Sequence, residues 1–315
     1  MNDLILHHYA GSPFSEKVRL VLGYKGLGWK SVTVPVILPK PDVVALTGGY
    51  RRTPFLQVGA DIYCDTALMC RVIDRMAPTP PLYPASGGGV QNILAHWADT
   101  TLFWTAIPYT MQPVGVAHLF GGAPPEVLKA FGADRAAMMT AGFRRPTPTD
   151  AFAQLQSHFG WLEQQLADGR RYLCGEAACI ADFSVAQSLW YIRRVPSLAT
   201  ILGPFTRLTN WYERVQAFGH GSSETMSSAD ALAIAKSAPS RVTIEFDAQQ
   251  GFSRGEEVTV TPIDYAQDPV AGRLVGLTYD QVAIERVDPR AGTVNVHFPR
   301  IGFQIRKQDK EGNKA

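Results

Sequence analysis

The sequence predicts three consecutive units: an α/β domain, an all-helical domain and a small all-β domain. Three observations carry this. Short apolar runs alternate with helical ones up to about residue 76. From residue 90 to 218 the apolar period is helical throughout. From Arg241 onward, short β-rich runs recur between turn residues. A chain of 315 residues, 46% apolar and 18% charged, is also too long for one ordinary core. The boundaries read as 1–84, 90–220 and 240–306.

The first unit opens on Leu4-Ile5-Leu6, an apolar run suited to a strand covered on both faces. Ala10-Gly11 punctuates it. Ser12 then stands at an N-cap position, with Pro13 at the first helical position. Val18, Val21 and Leu22 follow at i, i+3 and i+4 and give that helix an apolar face. A hydroxyl and free backbone N–H groups therefore point out from the carboxyl end of a strand, where ligands bind in open α/β sheets. An anion such as a thiolate is favoured there. Gly26 and Gly28 end the helix, and residues 29–36 read as a second strand. A loop with Pro39 and Pro41 leads to a short helix at 42–46. Residues 53–58 form a third strand, and 59–61 turn into a fourth at 62–64. Asp65-Thr66 caps a helix through Leu68, Met69, Val72 and Ile73. The order is β-α-β-α-β-β-α.

Residues 78–89, rich in Pro and Gly, read as a linker. Helices follow at 90–109, with Trp97, Leu102, Phe103 and Trp104 on its period, then at 125–141, 150–166, 181–193 and 204–218. Residues 222–238 read as one connecting helix. Strands are expected at 242–246, 257–261, 272–277, 281–287, 293–298 and 302–305. That many short strands in so few residues suggest a small SH3-like barrel. Residues 307–315 are expected to be disordered.

The formal net charge is +2, and the segment from Arg241 to Ala315 carries 10 Lys and Arg against 11 Asp and Glu. No basic stripe points to a nucleic acid. No run of 18 apolar residues points to a membrane span, and the N-terminus lacks a basic region followed by a long apolar one, so a cytoplasmic protein is expected. Cys64, Cys70, Cys174 and Cys179 form no C-x-x-C pair and read as free thiols. No metal is expected: His7 and His8, as neighbours on a strand, point to opposite faces.

Four short pieces stand in a telling order: Gly11-Ser12-Pro13-Phe14-Ser15, Thr53-Pro54, Asp65-Thr66 and Cys179-Ile180-Ala181-Asp182-Phe183. With the helical unit following, residues 1–220 resemble the serine-type glutathione transferase family. The resemblance implies a thioredoxin-like first domain, a glutathione co-substrate and a homodimer. It implies that Ser12 donates to the sulfur of glutathione. Lowering a thiol pKa from roughly 8.5 to about 6.5 needs about 2.7 kcal/mol. A hydroxyl donating to a charged acceptor supplies about 1.5–3 kcal/mol and a helix N-terminus roughly 0.3–1 kcal/mol. An ordinary N-cap is the alternative role for Ser12. Thr53-Pro54 resembles the family's cis-proline turn, whose backbone pairs with glutathione as an added strand would. Asp65 and Thr66 match the pair that holds the γ-glutamyl end, and Arg51 or Arg52, with Arg52 named as the candidate, is expected at the glycyl carboxylate, a solvated basic turn being the alternative. Ser15 is expected at the surface. Tyr9, Phe14, Trp104 and Tyr109, with Trp190 as a further candidate, are expected to line a pocket for an electrophile between the domains. Asp182 is expected to cap the N–H of Cys179, although a thiol is a poor first member of a capping box.

These expectations add up to a glutathione-dependent transferase that directs a thiolate at a small electrophile. The alternative is a non-catalytic glutathione or apolar-ligand binder, with the C-terminal barrel as its partner contact.

Overall fold

A computed structural model describes residues 3–139, 144–239 and 241–308. The first unit comprises β1 (Ile5–His8), α1 (Pro13–Tyr24), β2 (Gly28–Thr33), α2 (Pro41–Thr47), β3 (Phe55–Val58), β4 (Asp61–Cys64) and α3 (Thr66–Met76). Strand β1 runs parallel to β2 and antiparallel to β3, and β4 returns antiparallel beside β3. This is the thioredoxin-like arrangement. Alternation along β1 sorts its side chains: Leu4 and Leu6 join the core shared with α1 and the helical unit, while Ile5 packs on the other face against Ala231.

The helical unit comprises α4 (Val90–Trp97), α5 (Phe103–Thr110), α6 (Pro113–Leu119), α7 (Pro125–Ala137), α8 (Pro148–Gln165), α9 (Ile180–Arg193), α10 (Pro196–Ala199) and α11 (Thr206–Gln216). One π-helical turn, Ala98–Leu102, joins α4 to α5, so the helical path expected at 90–109 is continuous but wider at its middle. The short helices α6 and α10 have no counterpart in the sequence reading. The last residues of the helix expected at 125–141 lie outside the described residues. Asp182 is fully buried at the start of α9, and its carboxylate accepts from the N–H of Cys179 at 2.8 Å, the N–H of Leu173 at 2.9 Å and the indole of Trp211 at 2.7 Å. The capping role expected of it is observed, and it also ties α11 to α9.

The C-terminal region departs from the expectation in two places. Residues 222–238 are not one helix: β5 (Ser222–Thr225) pairs in parallel with β2 before α12 (Ser228–Ser237) begins. Residues 242–246 are not a strand; Phe246 makes a lone bridge to Leu277. The remaining strands are β6 (Glu257–Pro262), β7 (Val270–Leu277), β8 (Gln281–Asp288), β9 (Gly292–Pro299) and β10 (Phe303–Lys307). Lys307, expected in a disordered tail, ends β10 opposite Val258, and 309–315 lie outside the described residues. Strands β6 to β9 form a meander and β10 returns to pair with β6. No hydrogen-bonded pairing of β9 with β10 closes this β-rich region into a barrel among the described residues. Instead β9 pairs in parallel with β4, and the strands form one ten-stranded sheet in the order β10-β6-β7-β8-β9-β4-β3-β1-β2-β5.

The β4–β9 junction is held by more than backbone. The Asp61 carboxylate meets the imidazole of His297 at 2.8 Å, and both side chains are buried. Nδ1 of the same ring lies 2.8 Å from the Gln281 amide, and Asp61 also accepts from the N–H of Val242 at 2.8 Å. The ring stacks on Tyr63 with centroids 4.5 Å apart. Around it one apolar core joins Phe55 and Ile62 of the first unit to Val258, Leu274, Val296 and Phe298 of the β-rich region. Removing the imidazole leaves a buried carboxylate and a buried amide with lost partners. His297→Ala is expected to cost about 3 kcal/mol in urea unfolding, with raised hydrogen exchange in β4 and β9. Native-like stability would contradict this account of the junction.

Candidate active site

The strand–helix turn after β1 is built as its residues predict. Ser12 has an extended backbone (φ −82°, ψ 124°), and its Oγ accepts from the N–H of Ser15 at 3.2 Å. It therefore is an N-cap. An accepting hydroxyl still has its own proton to donate, so the cap and the role at sulfur are compatible. Ser12 is 2% exposed and lines a cavity of about 1090 Å³ together with Tyr9, Phe14, Trp104 and Thr53. Ser15, expected at the surface, is instead buried, and its hydroxyl has no hydrogen-bond partner among the described residues. It faces inward because α1 is covered on more than its Val18–Val21–Leu22 stripe.

A second, smaller cavity of about 190 Å³ adjoins the first. Asp65, Thr66, Lys17 and Asp99 line it, and Phe14, Arg52, Thr53, Trp104 and Tyr265 are common to both. Thr53–Pro54 is cis. Asp65 adopts φ +73°, sparsely populated for a non-glycine residue, and its carboxylate caps α3 by accepting from the N–H of Ala67 at 2.9 Å. Burial lifts the Asp65 carboxyl above its ordinary range, against the opposing pull of the Ala67 N–H and of Lys17 and Arg52. The N-terminus of α3 opens on this cavity at Thr66.

Two lysines that the sequence reading did not single out matter here. Lys17 is fully buried; its Nζ donates to Asp99 at 2.6 Å and to the Thr66 hydroxyl at 3.3 Å. Burial alone would lower its pKa, but Asp99, with Cys70 and Asp65, outweighs it and the ammonium is held above its ordinary value. Asp99 in turn accepts from the Gln187 amide at 2.7 Å, so this chain of contacts fastens the first unit to the helical one. Lys17 could have been found: it stands three residues after Phe14 and four before Val21, inside a buried stripe. Lys40 is 4% exposed, and its Nζ donates to the carbonyl of Arg51 at 3.2 Å and the hydroxyl of Thr53 at 3.3 Å. Burial, with repulsion from Arg135 and Arg51 partly offset by Asp134, pushes its pKa down to about 8. A lysine between two prolines in a loop carries no local signal of this.

Arg52 lines both cavities, but its guanidinium is held by the carboxylate of Asp264 and the carbonyl of Tyr265, with the Tyr265 ring 4.1 Å away. Arg51 pairs with Asp134 at 2.5 Å. Both arginines expected at the glycyl carboxylate thus have carboxylate partners within the fold, and Lys40 is a further cation, bonded to Thr53. Tyr109 is a second correction. It sits in the apolar core, donates to the carbonyl of Leu198 at 3.1 Å and lines neither cavity. An aromatic residue on a helical period looks the same whether it faces a core or a pocket. Trp190 also lines neither cavity and lies under the guanidinium of Arg194. Tyr9, Phe14 and Trp104 line the larger cavity. Tyr265, from the loop between β6 and β7, completes its wall against Trp104 with ring centroids 4.9 Å apart.

His7 and His8 are hydrogen-bonded within the fold. His7 bonds Gln57 at 2.8 Å and His8 bonds Ser31 at 2.9 Å, and burial foremost lowers both imidazoles to about 4, so both are neutral at pH 7. Among the described residues no group of three or more potential ligands could hold a metal ion, and no helix is long and apolar enough to cross a membrane.

Comparison with known proteins gives this geometry its context. Sequence models for the glutathione S-transferase N-terminal domain and C-terminal domain match residues 6–81 and 134–214. A GST-like protein from Pseudomonas syringae is 39% identical, covers 98% of this chain over 100% of its own, and superposes with a TM-score of 0.81. The chain belongs to the glutathione S-transferase family. Membership supports a glutathione-related transferase function in general terms. The Pseudomonas protein matches this transferase-family chain over the β6–β10 region as well, since so little is left uncovered. Glutathione S-transferase III, 22% identical, and a glutathione S-transferase from Rhodospirillum rubrum F11, 19% identical, each cover 68% of this chain and 92% and 88% of their own, with TM-scores of 0.53 and 0.51. These two share the fold. No curated protein matches the sequence.

Proposed function

We propose that the protein is a glutathione-dependent transferase that holds glutathione across the two adjoining cavities and presents its thiolate at Ser12 to an electrophile in the larger one. The observation that carries this reading is the order of groups along the cleft. Asp65 and Thr66, at the N-terminus of α3 with Lys17 behind them, suit the ammonium and carboxylate of the γ-glutamyl end. Thr53, common to both cavities, suits the peptide backbone in the middle. Lys40 suits the glycyl carboxylate, and Ser12 at the start of α1 suits the sulfur. The reaction forms a bond from sulfur to an electrophilic centre of the second substrate, the bond from that centre to its leaving group breaks and the group departs with the electron pair, and the thiol proton leaves to solvent as the thiolate forms. Family membership is the support for a homodimer and for a cytoplasmic location.

Titrating glutathione while following thiolate absorbance tests the central role. Ser12→Ala is expected to raise the apparent pKa of the bound thiol by about 1–2, the equivalent of one charge-assisted hydrogen bond. Equal thiolate in both proteins would contradict it. Lost N-cap stability of about 1 kcal/mol is read separately from thermal melting.

The charge of Lys40 generates a pH dependence. Its ammonium faces Arg51, Arg135, Asp134 and the Thr53 hydroxyl and is protonated below about 8. A bound carboxylate favours the protonated form, so affinity is full below about pH 8 and declines as pH rises above that value. Affinity for S-methylglutathione, which has no thiol to titrate, is expected to fall above pH 8 in the native protein more steeply than in Lys40→Arg. Parallel profiles would remove Lys40 from the glycyl site.

A further inference from the structure

The larger cavity has a one-sided charge. Its described lining holds Lys40, Arg51, Arg52, Arg135, Arg145 and Arg194, and no Asp or Glu. Two carboxylates outside that lining pair with three of these six cations: Asp134 serves Arg51 at 2.5 Å and Arg135 at 3.2 Å, and Asp264 serves Arg52. Lys40, Arg145 and Arg194 have no carboxylate partner among the described residues. Glutathione, held as proposed above, brings its glycyl carboxylate to Lys40. Its γ-glutamyl end lies in the other cavity. An excess of positive charge in the electrophile's space is left over.

Arg194 is the member of this set bonded to the turn that carries Ser12. It follows α9, and its Nη1 donates to the carbonyl of Gly11, the residue before Ser12, at 3.1 Å. A Cβ at Gly11 would come within 3.2 Å of that nitrogen, so the glycine lets the guanidinium sit against the turn. The Trp190 ring lies under it at 5.1 Å. One N–H is used by Gly11, and the planar fork keeps further donors for a carboxylate. The rest of the cavity is apolar and aromatic, with Phe103, Trp104, Phe120 and Phe131 on its walls.

We propose that the second substrate is an anionic aromatic electrophile, and that Arg194 binds its carboxylate while the aromatic body lies on the apolar wall. This rests on the transferase reading of the same site but is tested apart from it. An apolar cavity with no fixed charge would favour neutral electrophiles. One with unpaired, partly buried cations penalises an uncharged occupant, because those cations are desolvated without a partner.

The test uses two matched pairs. Binding is measured calorimetrically with 3,5-dinitrobenzoate and its methyl ester, neither of which has a leaving group, on protein saturated with S-methylglutathione. Blocking the thiol excludes a contribution of Arg194 to a thiolate. Turnover is measured with glutathione and 4-chloro-3,5-dinitrobenzoate or its methyl ester. There the sulfur–carbon bond forms, the carbon–chlorine bond breaks, chloride departs with the electron pair and the thiol proton goes to solvent. The acid is expected to bind about tenfold or more tightly than the ester, as one charge-assisted contact allows. The acid-to-ester ratio is expected to collapse in Arg194→Gln and to be partly kept in Arg194→Lys. A native protein that prefers the ester, or a ratio unchanged in Arg194→Gln, overturns the proposal even if both chloro compounds turn over. Acid preference without turnover of either chloro compound upholds the anion site and removes the transferase reading.

Discussion

The pairing of β9 with β4, locked by the buried Asp61–His297 contact, is the constraint on which the shape of the site depends. It makes one sheet of the thioredoxin-like unit and the C-terminal strands. Because β8 and β7 follow β9 in that sheet, the loop between β6 and β7 is delivered to the mouth of the cleft. Tyr265 then packs on Trp104 and Arg52, and Asp264 neutralises Arg52. The C-terminal region is thereby part of the cavity wall. It also covers a strand edge that would otherwise present unpaired N–H and C=O groups.

The buried charges divide the labour between architecture and chemistry. Lys17 and Asp99 join the first unit to the helical one, and Glu16 does similar work on α1 with Arg19 at 2.6 Å and His220 at 3.0 Å. Such pairs add little net stability against apolar packing, yet losing one partner is costly, so they fix geometry. Lys40, on a carbonyl and a hydroxyl, and Arg194, on a carbonyl, differ in having no carboxylate within ion-pair distance among the described residues. A cation held in a cavity wall without a paired carboxylate is a binding feature, and both line the cavity at the Ser12 turn.

What could be read from the sequence was whatever is encoded locally. Gly11-Ser12-Pro13, Thr53-Pro54 and Asp65-Thr66 each set their own backbone within a few residues, and each stands where expected. The strands from β6 to β10 announced themselves by β-branched runs between turns. Strand β5 did not, because Ser222–Thr225 is fully exposed and carries no apolar alternation. The β4–β9 junction was hidden for another reason: edge pairing uses backbone groups that every sequence has, and Asp61 and His297 are 236 residues apart. The ion pair of Arg52 was hidden because its partner, Asp264, comes from the C-terminal region, and the core position of Tyr109 because helical periodicity does not distinguish a core from a pocket.

The most direct measurement is the crystal structure of the complex with glutathione. The account predicts the sulfur within hydrogen-bonding distance of the Ser12 Oγ, the γ-glutamyl carboxylate at the backbone N–H of Thr66, and the glycyl carboxylate at Nζ of Lys40. A sulfur bound by the Tyr9 phenol, or a tripeptide lying outside the two adjoining cavities, would contradict it.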